Sequence, residues 1–219
     1  EFMARQKGTP DLERVAEDSD EEDIIEDSSS GKAFEELYQW GRVIEQGDFS
    51  TTREARHKKS KEYFTVKSIK RSDLETVDAV AVQDEISTLQ MLKECPHIIT
   101  LHDVFEEPDY TFMVIERLQG GELIDRLIEK SHYTENEARR VAKNILSGLE
   151  FCHDRRIANR NIKTENLLLP AKDDLFDVRI SDFGFAKRVL YPNSLKTQIG
   201  TEGYVAPEII EHRPAYDVQ

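Results

Sequence analysis

Five short stretches of this 219-residue chain carry side chains with chemical capacity. Lys67 closes the run Phe64-Thr65-Val66-Lys67, and Glu85 follows eighteen positions later. The segment Asn159-Arg160-Asn161-Ile162-Lys163-Thr164-Glu165-Asn166 is dense in amides and charges. Asp182-Phe183-Gly184 and Ala206-Pro207-Glu208 complete the set. A lysine ammonium is a compact point charge suited to anions, and carboxylate and amide oxygens suit hard cations. Each group also has an ordinary reading: Lys67 as a surface lysine, Asp182 as a turn aspartate before glycine, Asn166 as a satisfied loop amide. The order of all five carries the information.

Such groups need elements to hold them. Residues 38–46, 50–57 and 61–69 are short and partly alternating, separated by Gly47-Asp48 and a lysine-rich turn, which predicts a meander of three antiparallel strands. Between Asp73 and Lys93, Val82, Ile86, Leu89 and Leu92 recur at helical spacing, so Glu85 rides on an amphipathic helix. Stretches 98–105 and 110–116 read as two more strands. After Gln119-Gly120-Gly121 the pattern turns helical, and 135–155 sets Ala138, Val141, Ala142, Ile145, Leu146, Leu149 and Cys152 on one face of a buried helix. A loop at 157–166, a strand pair around 167–169 and 177–180, and an irregular stretch to Glu208 follow, with no internal repeat.

Hydrophobic content of 38% and charged content of 34% describe a soluble globular chain. No run approaches the roughly 18 apolar residues of a membrane span, and no signal-peptide start is present. Cys95 and Cys152 lie far apart without a CxxC pair, which disfavours a disulfide framework or zinc site and favours an intracellular, cytoplasmic protein. The net charge is −14, with acids crowded over residues 11–27, and residues 1–33 read as a disordered acidic leader. That leader is either a solubilising tail or a docking or phosphorylated segment, since Ser19 and Ser28–Ser30 sit among acids. Overall acidity argues against nucleic-acid binding, and the cluster Arg53, Arg56, His57, Lys58, Lys59 and Lys61 reads as a solvated hairpin. The start at Glu1 before Met3, and the end at Gln219 in a helical-looking stretch without a stop signal, read as a fragment.

Taken together, the five motifs resemble the eukaryotic protein kinase domain over residues 36–219: the lysine strand, the ion-pair glutamate, the catalytic loop H-R-D-L-K-x-x-N, the DFG motif and the end of the activation segment. Lys163 and Gly200-Thr201 look like the serine/threonine branch, and Gly120-Gly121-Glu122-Leu123 with Gly203-Tyr204-Val205-Ala206-Pro207-Glu208 is similar to calcium/calmodulin-dependent kinases. The resemblance implies an α+β, two-lobed fold. A five-stranded antiparallel small lobe would occupy 34–117, with the glycine-loop remnant, lysine strand and regulatory helix; an incomplete, mainly helical large lobe would occupy 118–219.

It also implies ATP and Mg2+ as cofactors. Lys67 would hold the α/β-phosphates, Glu85 would aim it, and Asp182 and Asn166 would serve the metals. Asn161, Lys163 and Lys67 would form the catalytic set. Ile44, Val66 and Leu168 would line the adenine, near Gly47 of the phosphate loop, although Val66 could point away because strand neighbours face opposite sides. The hinge Glu116-Arg117-Leu118 would offer backbone hydrogen bonds, and Ile115 would guard the back pocket. Glu122 would lie near the ribose or a basic substrate residue, or be an ordinary first-turn charge. Thr197 matches the activation-loop phosphosite, with Arg160 as partner of such a phosphate. Implied partners are a protein substrate presenting serine or threonine and an upstream activating kinase, with no nucleic acid and no membrane; a calmodulin-binding helix would lie beyond Gln219.

The pattern fails at four places. Asn161 replaces the aspartate that accepts the substrate proton, and an amide oxygen cannot take that proton. The phosphate loop reads Glu45-Gln46-Gly47-Asp48-Phe49-Ser50, leaving one glycine, with Glu45 facing either inward or outward. Asn159 replaces the ring expected under Phe183, which should weaken the packed spine, and Glu202 replaces a proline where peptide substrates seat. Without the helices that follow in the family, the apolar face of 135–155 should be left exposed. Two functions stay open: an impaired Mg-ATP-dependent serine/threonine kinase, or a pseudokinase scaffold regulating a partner.

Overall fold

The computed structural model describes residues 32–47, 50–211 and 215–217. The expected acidic leader lies outside the described residues except for its last two, and so do Asp48 and Phe49 of the first expected turn. Helix α1 (Lys32–Leu37) leads into strands β1 (Tyr38–Gln46), β2 (Ser50–His57) and β3 (Tyr63–Lys70), then helix α2 (Thr76–Leu92), then β4 (Leu101–Glu106) and β5 (Tyr110–Glu116). The five strands form one antiparallel sheet in the order β1-β2-β3-β5-β4.

Alternation along the strands divides the apolar residues between two cores. Val66 on β3 and Phe112 and Val114 on β5 join Phe34, Tyr38 and Ala55 on one face. Phe34 is fully buried, its ring 5.1 Å from that of Tyr38 and 5.0 Å from that of Phe112. Burying one such side chain contributes about 1.5–3 kcal/mol, which anchors α1 to the sheet. Ile69 and Met113, on the opposite face, meet Ile86, Leu89 and Leu92 of α2.

Helices are the longest elements of the second half. Strand β6 (Gly121–Glu122), helices α3 (Leu123–Lys130) and α4 (Glu135–Asp154), strands β7 (Ile157–Ala158), β8 (Leu167–Leu169), β9 (Arg179–Ile180) and β10 (Lys187–Arg188), and the short helix α5 (Pro207–Ile210) follow. β6, β8 and β9 make a three-stranded sheet, and β7 pairs with β10. Gly120 serves close approach here. A Cβ on it would lie 2.4 Å from Leu169 Cβ and 2.6 Å from Ala171 O. Gly121 takes φ +77°, the left-handed region glycine tolerates.

Helix α4 begins with a reciprocal cap. Thr134 accepts from Glu137 N at 3.4 Å, and Glu137 Oε2 accepts from Thr134 N at 2.9 Å. The hydrogen bond from Lys130, helped by the Thr134 amide, draws the Glu137 carboxyl down from 4.5 to about 2. The cap's contribution is therefore complete above pH 4.5 and is lost as pH falls through about 2. Thr134→Ala should cost about 1 kcal/mol, and Glu137→Gln should lower the melting midpoint at neutral pH but not at pH 2, as thermal melts at the two pH values would read.

Three expectations need correction. The strand expected from residue 98 begins at Leu101, because the chain on either side of Ile98 bonds instead to Ile180 of β9, Ile99 N–H donating to Ile180 O and His97 O accepting from Ile180 N–H. On α4, Val141 and Cys152 are buried and Ile145 and Leu149 pack on the core, while Ala138 and Ala142 are exposed and Leu146 is 63% exposed, so three of the seven apolar positions face outward among the described residues. Residues 215–217 form no helix: Leu195 and Tyr216 exchange backbone hydrogen bonds at 3.1 and 2.9 Å. Both cysteines are free and buried, with burial pushing the Cys152 thiol up to about 12. No helix among the described residues is long and apolar enough to cross a membrane.

Candidate active site

The site forms where the sheet's α2 face meets the loop after β7. Strand β3 aims Lys67 at α2, and its Nζ lies 2.9 Å from Glu85 Oε2 and 3.2 Å from Oε1. Glu85 is buried, while the lysine side chain is one-third exposed toward the cleft. Register explains the neighbours. Thr52 of β2 and Met113 of β5 stand opposite Lys67, and Thr65 stands opposite Ile115, so these residues share its face. Val66 therefore faces away, fully buried behind Phe34, and drops out of the adenine wall.

Across the cleft, residues 159–166 enclose Asp182. Asn161 Nδ2 donates to Asp182 Oδ2 at 2.6 Å, and Asn166 Nδ2 donates to the same oxygen at 3.2 Å. Gly184 N–H donates to Asp182 Oδ1 at 2.9 Å. A Cβ on Gly184 would lie 3.9 Å from Glu85 Oε2, so the Asp182 turn abuts the Lys67–Glu85 pair. Lys67, Glu85, Asn161, Asn166 and Asp182 thus stand together around the Asp182–Gly184 turn. Asp182 and Asn166 offer oxygens of the kind a hard cation takes, and phosphate or water would have to complete its shell. Among the described residues no cluster of three His, Cys, Asp or Glu side chains could hold a metal alone.

Asn159 departs from expectation. Buried, it donates from Nδ2 to Asp182 O at 2.7 Å and accepts from Asn161 N at 2.9 Å. Phe183 remains buried in one cluster with Leu89 and Leu101. Hydrogen bonds to the backbone take the place of ring packing.

The remaining expected residues are more dispersed. Ile44 is half-exposed on β1, and Gly47 N–H donates to Ser50 O at 2.8 Å. Glu45 is exposed; it pairs with Thr52, which pairs with Lys67, next to a register shift between Val43 and Glu45. Glu116 is committed to its neighbours: its N–H donates to Thr100 O at 2.9 Å, and its carboxylate accepts from Thr100 N at 2.7 Å with Arg179 at 3.8 Å. Leu118 packs on the main core, and Leu168 pairs with Glu122 across β6 and β8. Burial raises the Glu122 carboxyl above its usual range, with Asp125 and Glu165 adding repulsion and Lys163 opposing it. Glu122 and Lys163 thus stand at the same rim. Glu202 is exposed.

Thr197 is exposed, and Arg160 reaches it only through an intermediary. Arg160 donates to Phe185 O at 2.8 Å and to Tyr216 Oη at 3.3 Å, and Tyr216 donates to Thr197 O at 2.6 Å. Tyr216 was not foreseen; nothing in its local sequence signals the link. Also unforeseen were Glu54, 2.5 Å from Arg117 and 3.4 Å from Arg42, and the 2.6 Å ion pair joining Lys187 of β10 to Asp84, beside Glu85.

The protein kinase domain family matches residues 38–219. The chain belongs to that family. Its relatives include a probable myosin light chain kinase of Dictyostelium discoideum, 38% identical over 84% of this chain and 47% of the relative. An SNF1-like protein kinase of Schizosaccharomyces pombe is 42% identical over 77% of this chain and 28% of the relative. This kinase-family chain therefore spans about half or less of the relatives it matches. Its five-stranded antiparallel sheet and following helices fit the α+β kinase fold expected from the motifs.

Proposed function

We propose that the chain is a serine/threonine protein kinase homologue of the calcium/calmodulin-dependent type, binding Mg-ATP between a small lobe (34–117) and a large-lobe portion (118–219), with phosphoryl transfer impaired by Asn161. The observation that carries this reading is the 2.9 Å Lys67–Glu85 pair abutting the turn that presents Asp182. Lys67 offers an oriented positive charge to the α/β-phosphates, because Glu85 fixes its direction from a buried position. Magnesium, when bound, neutralises phosphate charge, and Asp182 and Asn166 are the residues that would hold it. Lys163, at the cleft rim, would meet the transferred phosphoryl group.

A substrate hydroxyl would meet Asn161 Oδ1, which accepts a hydrogen bond from Thr201 Oγ1 at 3.0 Å. That amide oxygen orients the hydroxyl but leaves the proton on it. The loss is about 10²–10⁴-fold, the usual general-base contribution. Leu168 and Ile44 would border the adenine, with Leu118 and Glu116 supplying hinge backbone and Glu122 at the ribose or substrate edge. Phosphorylation of Thr197 by an upstream kinase would recruit Arg160, already held near it through Tyr216. The buried free thiols favour an intracellular setting.

A second reading, a regulatory pseudokinase, is favoured by the Asn161–Asp182 hydrogen bond. Thermal melting with and without Mg-ATP tests binding, since a ligand preferring the folded state raises the midpoint. A shift with no detectable transfer to serine or threonine peptides would select the pseudokinase. No shift would remove nucleotide binding from both readings.

A further inference from the structure

We propose that in this chain the Asn161 amide takes the place of a divalent cation at Asp182, making nucleotide binding insensitive to Mg2+. The inference rests on the reading of the cleft as an ATP site and revises one part of that reading, the magnesium at Asp182 and Asn166. Asp182 Oδ2 receives Asn161 Nδ2 at 2.6 Å and Asn166 Nδ2 at 3.2 Å, and Oδ1 receives Gly184 N–H at 2.9 Å. A carboxylate offers about four lone-pair positions, and these donors fill most of them. A cation approaching Oδ2 must displace an amide.

The donors are themselves held. Asn166 Nδ2 also donates to Asn161 O at 2.9 Å, which fixes which end of that amide faces Asp182. Asn161 Oδ1 accepts from Thr201, Asn161 N donates to Asn159 Oδ1, and Asn159 Nδ2 returns to Asp182 O. Asn159 is 3% and Asn161 5% exposed, so these two amides lie out of water, while Asp182, Asn166 and Thr201 at the other ends of their bonds are partly buried.

Charge points the same way. Lys67 and Glu85 offset each other, leaving Asp182 as the one net charge among the five cleft residues. An aspartate at 161 would set a second carboxylate where the 2.6 Å contact now lies, and a cation between the two, or a proton shared by them, would relieve the repulsion. The neutral amide removes that repulsion.

Calorimetric ATP titration of the intact protein, in EDTA and then in Mg2+, tests this for wild type, Asn161→Asp and Asn161→Ala. Wild-type affinity should change by less than about threefold with the metal, whereas each variant should tighten by about tenfold or more. The alanine variant opens Oδ2 without adding charge and serves if the aspartate variant does not fold. Water-proton relaxation with Mn2+ and ATP gives a second reading, with a ternary enhancement expected for the variants only. Wild-type tightening of tenfold or more on adding Mg2+ would overturn the amide's role and leave ATP binding standing. Absence of ATP binding by all three proteins would end both.

Discussion

Asn161→Asp is expected to raise phosphoryl transfer to a serine or threonine peptide by about 10²–10⁴-fold, the range of a general base positioned in the transition state. The backbone at this position is already held for the task. Asn161 N–H is fixed by Asn159, its carbonyl by Asn166, and its side chain reaches both Thr201 and Asp182. The substitution is nearly isosteric, so it exchanges a proton donor for an acceptor without moving the loop. Mg2+ must be present in the assay, because the new carboxylate faces that of Asp182. Asn161→Ala is the control and should gain nothing. If the aspartate variant binds ATP yet transfers no faster than wild type, the block lies elsewhere, with Glu45 and Ser50 of the phosphate loop the first suspects.

The second large effect is expected at Lys67. In Lys67→Met the ATP-induced rise in melting temperature should disappear, and the free protein should lose about 1–3 kcal/mol, the cost of leaving a buried acceptor unsatisfied. Breaking a fully buried pair costs about 3–5 kcal/mol; the smaller figure applies because the lysine side chain is 33% exposed and Glu85 can draw on cleft water. Lys67→Arg should recover most of the stability but little nucleotide binding, since the guanidinium is larger and forked. A full ATP shift in Lys67→Met, by thermal melting, would contradict the placement of phosphates beside this residue.

Much of the fold was legible because its signals are local. The meander of β1 to β3 is bounded by turn residues, and α2 and α4 carry helical spacing and caps, so their limits lie within a few residues of expectation. Parity on β3 was legible too. Lys67 and Val66 had to face opposite sides, but which of them met α2 and which met Phe34 depended on packing that no local pattern reports.

What stayed hidden is nonlocal polar pairing. Asn159 looked like a lost spine residue, yet its amide spans 23 positions to the Asp182 carbonyl. Tyr216 joins Arg160 to Thr197 across 56 and 19 positions, and Glu54 meets Arg117 across 63. Amides, hydroxyls and carboxylates have too many candidate partners for a sequence to choose among. Motif spacing brought the charged groups into view; the folded chain decided which amide faces which oxygen.

The most direct measurement uses an ATP acyl phosphate, which transfers its acyl group to lysine amines lying beside the bound phosphates. After labelling the intact protein, peptide mass spectrometry should find the acyl group on Lys67, and on Lys163 at the rim, with excess ATP suppressing both. Labelling confined to surface lysines such as Lys58, Lys59 and Lys172, and unaffected by ATP, would contradict the convergence of Lys67 and Asp182 on one triphosphate.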